Sequence, residues 1–364
     1  MLGGDVPGKP NGMNKNKKLL IGLGIIGVIV LLFYVFKTQQ SINITSTSSF
    51  TGKSNVYKLW IIADRDEFSK KGKEWMSTLW TGQLRFSDHR PKIAFQNQYP
   101  IKQRLVRETR GVELSELLLT DNKMITVCDR TGIVYEILNF DNQAKDSKKA
   151  LIPRAILAGG NGNSEKPQKN EWAFERNGEI YIGSWGKEWT SPDGKVVVNR
   201  DPQYVKVLSK NFEILRHEDW SRKYEKLRQA TGTTNPGYLV HEAIAYNPSN
   251  DRLYFTPRRV SKEAYNDEAD LQRGGNILIS CRFSDFGAMK VTEIKQKTEP
   301  TRGFSSLRFV PGHNNLLLAL KTEENGEKQK SYITLFDTNG EVQVPEQYLG
   351  DEKFEGLEIK PVRE

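Results

Sequence analysis

Cysteine is nearly missing from this chain: two residues of 364, Cys128 and Cys281. That number excludes a disulfide framework and a cysteine-based zinc site. In an oxidising compartment the two can pair, and two buried free thiols are equally open. Histidine is scarce as well. His89, His217, His241 and His313 are the four present, and no two are spaced as a metal pair. No Gly-x-x-x-x-Gly-Lys-Ser/Thr run occurs, which removes the P-loop enzymes, and no Gly-x-Ser-x-Gly, which argues against an α/β-hydrolase. Helical periodicity is sparse, with Asp66–Leu79 and Trp220–Ala230 the two stretches that read as helix. Carboxylates, hydroxyls, arginines and backbone are left to carry the chemistry.

One sign of charge is in modest excess, 54 Lys+Arg against 45 Asp+Glu. Lys9, Lys15, Lys17, Lys18 and Lys37 against Asp5 place much of that surplus at the N-terminus. The remainder is spread without a basic stripe, so nucleic acid is not an expected partner. Long hydrophobic runs are absent but for one. Leu19–Phe36 is uncharged, and as a helix it would span roughly 27 Å, near the ~30 Å of a hydrocarbon core. With Asn14–Lys18 before it, the expected order is a cytoplasmic tail (1–18), a transmembrane signal-anchor (19–36), a stalk (37–55) and a folded domain (56–364). That describes a single-pass type II membrane protein. A cleaved signal peptide is the competing reading, although no small-x-small site follows Phe36. Both place the bulk of the chain in the lumen of the endoplasmic reticulum or Golgi, at the cell surface, or secreted. Asn43-Ile-Thr45 is a glycosylation acceptor in the stalk.

From Val56 onward short runs rich in Val, Ile, Leu, Tyr and Thr alternate with Gly, Asn and Asp turns. Examples are Tyr57–Ala63, Lys123–Val127, Gly132–Leu138, Arg252–Thr256 and Ser331–Phe336. This pattern predicts an antiparallel all-β domain. A loose repeat runs through it. Ser115-Glu-Leu, Glu171-Trp-Ala, Glu242-Ala-Ile, Ser305-Ser-Leu and Glu355-Gly-Leu each open a β run, 56, 71, 63 and 50 residues apart. A unit of that length holding three or four strands is one propeller blade. The five residues then open the innermost strands and converge on one channel. Three carboxylates and two hydroxyls make an all-oxygen set that suits Ca²⁺, whereas zinc is disfavoured. Without a cation the three glutamates would repel one another.

The same stretches carry a resemblance. Ile62-Ala-Asp-Arg-Asp66, Arg110-Gly-Val-Glu-Leu-Ser115, Val127-Cys-Asp-Arg-Thr-Gly-Ile-Val-Tyr135 and Gly186-Lys-Glu-Trp-Thr190 come first. Pro236-Gly-Tyr-Leu-Val-His-Glu242, Pro257-Arg-Arg259, Gly303-Phe-Ser-Ser306 and Phe354-Glu-Gly-Leu-Glu358 follow in order. Together they resemble the calcium-activated nucleotidase (apyrase) family, which includes vertebrate soluble calcium-activated nucleotidases and bed-bug type salivary apyrases. The resemblance implies a five-bladed β-propeller with Ca²⁺ in a central channel, hydrolysing nucleoside di- and triphosphates. It places the metal on Ser115, Glu171, Glu242, Ser305 and Glu355, with Glu116 reaching it directly or through water. One departure is Leu157-Ala-Gly-Gly-Asn-Gly-Asn163, neutral where relatives tend to carry an acidic turn.

Phosphoanhydride hydrolysis needs a metal across the phosphate oxygens, a cation on the developing charge and an oriented water. Arg258 is the candidate cation, since guanidinium matches phosphate oxygens in pairs. Asp64 and Asp66, one residue apart at the end of an apolar strand, are candidates for orienting water, Asp66 ahead of Asp64. The alternative for Asp66 is a helix N-cap. Glu113 is a candidate supporting carboxylate. Trp189 is a candidate for stacking on a nucleobase, with packing between blades as its alternative. Arg130, in a tight turn, is a secondary phosphate candidate, and His241 reads as a structural group. UDP and GDP are the expected substrates in a lumen, ATP and ADP outside the cell, and a homodimer is allowed for. The rival reading is a calcium-binding propeller without catalysis, kept as a scaffold.

Overall fold

The computed structural model describes residues 55–87, 90–105, 110–325 and 328–362. The expected tail, signal-anchor, stalk and glycosylation acceptor lie outside the described residues. Among those that are described, no helix is long and apolar enough to cross a membrane.

Four four-stranded antiparallel sheets and one of five strands are built from the alternating runs. Blade I is Leu114–Thr120, Lys123–Cys128, Ile133–Leu138 and Ala150–Ile156. Blade II is Trp172–Arg176, Glu179–Gly183, Tyr204–Ser209 and Ile214–Asp219, and blade III is Ala243–Asn247, Arg252–Thr256, Ile277–Arg282 and Lys290–Glu293. Blade IV is Arg302–Phe309, Leu316–Asn325, Lys328–Asp337 and Val342–Gly350. Blade V joins the two ends of the domain. Its inner strand Lys353–Pro361 pairs with Val56–Asp64, which pairs with Glu74–Ser87 and through it with Arg90–Gln103. The first strand of each blade touches its counterparts on both sides, I to II to III to IV to V and back to I. The all-β propeller of five blades is thus as expected, and the blade whose strands come from both ends of the domain closes the ring.

The core lies between neighbouring blade faces. Trp60, Leu79, Leu117, Met124 and Tyr135 fill the space between blades V and I. Trp172, Phe174, Val207, Ile244 and Phe255 do so between II and III, where Phe174 stacks on Tyr181 at 5.0 Å. Close packing there leaves no room at Gly183, where a Cβ would stand 1.9 Å from the Trp172 ring. The helix Ser221–Thr231 inserts Tyr224 and Leu227 into the same core and ends on Gly232 in the left-handed conformation. That matches the second predicted helix. The first is wrong: Asp66–Ser69 is a single 3-10 turn, and Glu74–Ser87 is a strand. Gly72 at φ +65° turns the chain, and pairing with Val56–Ile62 along seven residues overrides any helical preference.

Cys128 and Cys281 are both free and buried, in the cores of different blades. Burial pushes each thiol up to about 12, so neither is a nucleophile at neutral pH.

Candidate active site at the mouth of the propeller channel

Sequence register brings the repeat residues to the axis by a specific backbone device. Ser115, Ser305 and Glu355 are each the extra residue where the inner strand slips against its neighbour. A β-bulge re-aims a side chain that regular pleating would send elsewhere. Glu171 and Glu242 stand immediately before the inner strands of blades II and III. All five are buried. Glu171, Glu242 and Glu355 line a cleft of ≈ 1220 Å³ together with Asp66, Glu113, Lys169, Arg258, Glu324 and Lys353.

Charge in the cleft is dense and mostly paired. Arg258 binds Glu242 at 2.5 Å, Glu355 at 3.1 Å and Glu324 at 3.1 Å. Lys353 lies 2.9 Å from Asp64, 3.1 Å from Asp66, 3.1 Å from Glu324 and 3.3 Å from Glu355. Lys169 bridges Asp129 and Glu171, the latter at 2.5 Å. Arg110 joins Asp66 at 3.0 Å to Glu113 at 2.6 Å. Oxygens of Asp64, Asp66 and Glu113 lie within 4.8 Å of one another, an acidic group able to hold a cation. Two protein cations, Lys353 and Arg110, already sit on it.

Burial opposes ionisation here, and neighbouring carboxylates add to it. Glu171 is pushed up to about 8 by burial, with Glu242 and Asp129 outweighing part of the help from Lys169. Glu355 is raised for the same kind of reason, burial first and then Asp64 and Glu242. Glu113 rises to about 7 through burial and Asp129, opposed by Arg110. Asp66 is raised by burial and by Asp64. Burial works against Glu324 too, yet Lys353 and Arg258 prevail and hold it below the usual range. Burial, more than the neighbouring charges, is what raises these carboxyls.

Asp66 is not a helix cap. The residue preceding the turn is Arg65, without a side-chain cap, while the Asp66 carboxylate takes Arg110, Lys353 and Gln329. Its backbone stands at φ 43° and its N–H donates to Asp64 at 2.9 Å, a strained position of the kind found at functional sites. Ser305 donates to the Phe354 carbonyl at 2.9 Å. The Ser115 hydroxyl is buried and has no hydrogen-bond partner among the described residues. Glu116 differs from expectation: its carboxylate accepts from Ser306 at 2.8 Å and from Arg308 at 3.1 Å. The bulge at Ser115 breaks the regular alternation there, and the Glu116 carboxylate is taken up by Ser306 and Arg308 of another blade.

Lys169, Lys353, Arg110, Glu324 and Gln329 were not singled out from the sequence. For two of them a signal existed: Lys169 and Lys353 each stand two positions before a repeat glutamate, as Glu113 stands two before Ser115. Beside the charged cluster the cleft is aromatic. Trp185 and Trp189 meet edge to face at 4.3 Å, Tyr265 lies under the Lys187 ammonium at 4.0 Å, and Trp189 is 37% exposed. Trp189 is therefore available to a ligand instead of filling an inter-blade core. Arg130 lines the same cleft. His241 is a core group stacked on Tyr224, pushed down to about 3 by burial and by Arg228.

Comparison with known proteins decides the family. The apyrase family profile matches residues 63–360. The chain belongs to the apyrase family, and with it to the nucleotide-hydrolysing enzymes. It is 34% identical to an apyrase of Cimex lectularius over 92% of this chain and 95% of that one. With soluble calcium-activated nucleotidase 1 of Rattus norvegicus it shares 36% identity, over 83% of this chain and 73% of the relative. An apyrase of Caenorhabditis elegans is 35% identical over 86% of this chain and 87% of its own.

Proposed function

We propose that this apyrase-family chain hydrolyses nucleoside di- and triphosphates in a calcium-dependent reaction at the mouth of the propeller channel. The observation that carries the reading is that Glu171, Glu242 and Glu355 line one cleft, at the starts of inner strands that touch one another around the ring; the buried Ser115 hydroxyl, without a hydrogen-bond partner among the described residues, belongs to the same repeat. Three carboxylates and two hydroxyls are a donor set that fits a hard divalent cation. Ser115, Glu171, Glu242, Ser305 and Glu355 would hold it. Bound there, calcium supplies Lewis-acid polarisation and charge neutralisation at phosphate oxygens.

The remaining chemistry belongs to the chain's own residues. Arg258, and Lys169 across the cleft, bring positive charge to the developing phosphate charge once their carboxylates are otherwise occupied. Asp66 orients the attacking water, steadied by Arg110 and Gln329, with Asp64 holding its backbone. Glu113, with its carboxyl near 7, accepts the proton that the water loses. The nucleobase stacks on Trp189 beside Trp185 and Tyr265. On the sequence evidence this propeller lies across a membrane from the lysine-rich N-terminus, and UDP or GDP are its substrates there.

The test is phosphate release from UDP, GDP, ADP and ATP by the full chain, with calcium, with magnesium alone and with chelator. Release that requires calcium is expected. Equal release under magnesium alone refutes the calcium dependence, and no release from any nucleotide leaves the scaffold reading in its place.

A further inference from the structure

Outside the cleft lining, a separate buried charged group ties the inner strands together. Glu116 Oε1 accepts from the Ser306 hydroxyl at 2.8 Å, from the Leu117 N–H at 2.9 Å and from the Leu357 N–H at 3.4 Å. Its Oε2 accepts from Arg308 at 3.1 Å. Arg308 also donates to the carbonyls of Leu117 and Ala173, and its Nε lies 3.5 Å from Glu358. Glu358 accepts from the Leu119 N–H and the Ile359 N–H, each at 2.8 Å. All four side chains are buried.

The placement of these contacts is selective. They join the inner strands of blades I, II, IV and V. The ties fall one to four residues beyond a repeat residue: Glu116 and Leu119 after Ser115, Ala173 after Glu171, Ser306 and Arg308 after Ser305, Leu357 and Glu358 after Glu355. Three of those repeat residues are bulges, where the strand has slack and its register is not held by regular pairing. Gly356 completes the fit, because a Cβ there would stand 2.6 Å from the Glu116 carbonyl carbon. Glu242, on blade III, is outside this group and is held instead through Arg258 to Glu355.

We propose that Glu116, Ser306, Arg308 and Glu358 are positioning residues that set the spacing of the oxygen ligands above them. The proposal rests on the calcium reading of the site. A strand that shifted by a few tenths of an ångström would strain several buried charge-assisted hydrogen bonds at once, so the ligand atoms are presented in one arrangement before a cation arrives.

The test uses the full chain and calcium alone, without nucleotide. Calorimetric titration of Ser306→Ala and Glu116→Gln should show calcium dissociation constants raised at least fivefold. Ser306→Thr, which keeps the hydroxyl, should stay within twofold of the parent. Thermal unfolding in chelator separates this from a purely structural role. A lowered melting temperature with unchanged calcium affinity in both variants overturns the proposal. Should Glu116→Gln fail to fold, Ser306→Ala still decides, because it removes one hydroxyl and no charge. No calcium binding by the parent chain overturns the underlying calcium reading and this proposal with it. Binding by the parent with unaltered affinity in the variants overturns the positioning role alone.

Discussion

Replacing Lys353 by methionine keeps the length of the side chain and deletes its charge. Four carboxylates, those of Asp64, Asp66, Glu324 and Glu355, lie between 2.9 and 3.3 Å from that ammonium. Asp64 and Glu355 are buried, so water cannot take over from the lysine. Breaking a buried ion pair by removing one partner costs about 3–5 kcal/mol. At about 2–4 °C per kcal/mol for a domain of this order of size, calcium-free Lys353→Met should melt ~6–20 °C below the parent. Protonation offers the carboxylates an escape, since burial and neighbouring charge already raise Glu355 and Asp66. A carboxyl raised in the folded state holds its proton there and loses it on unfolding, so stability grows as pH falls. The deficit should accordingly be larger at pH 8 than at pH 6. Added calcium should raise the melting temperature more in the variant than in the parent, because one competing cation has gone. Circular-dichroism melts in chelator and in calcium, at both pH values, read all of this. A variant within about 2 °C of the parent at pH 8 would refute the claim that Lys353 holds these carboxylates together.

Other outcomes follow from the same geometry. Glu242→Gln should weaken calcium binding at least tenfold by calorimetry and abolish most calcium-dependent phosphate release; unaltered affinity would remove Glu242 from the ligand set. The acid limb of the pH–activity profile should have its midpoint near 7, where Glu113 titrates. Activity then falls as pH drops and Glu113 takes up its proton, and Glu113→Gln should flatten that limb. Trp189→Ala should raise KM for nucleotides by roughly 5–150-fold, the equivalent of ~1–3 kcal/mol of stacking, while leaving KM for inorganic tripolyphosphate unchanged. Gly356→Ala should destabilise the domain by about 1–3 kcal/mol, since the new methyl meets backbone atoms that cannot step aside; a chemical denaturation curve checks it.

The repeat is legible in the sequence because its five polar positions obey a local rule, a polar residue opening an apolar run, and local rules survive in one dimension. The fifth repeat residue, Glu355, lies in a strand whose blade is completed from the other end of the domain. Its partners are Val56–Asp64 and the hairpin after it, nearly three hundred residues earlier, and no local pattern announces that pairing. The predicted helix at Asp66–Leu79 fails for the same reason: the strand Glu74–Ser87 exists because Val56–Asp64 lies beside it.

Composition, spacing and residue chemistry by themselves determined the all-β class, the five-fold repetition and the hard-oxygen character of the site. The tertiary structure decided which charges meet. Lys353 and Arg258 come from different blades, yet both reach Glu324 and Glu355. Glu116, beside Ser115 in the chain, turns toward Arg308 instead. A side chain's direction depends on pleat and bulge, and its electrostatic neighbours depend on which strands the ring brings together, and both are properties of three dimensions.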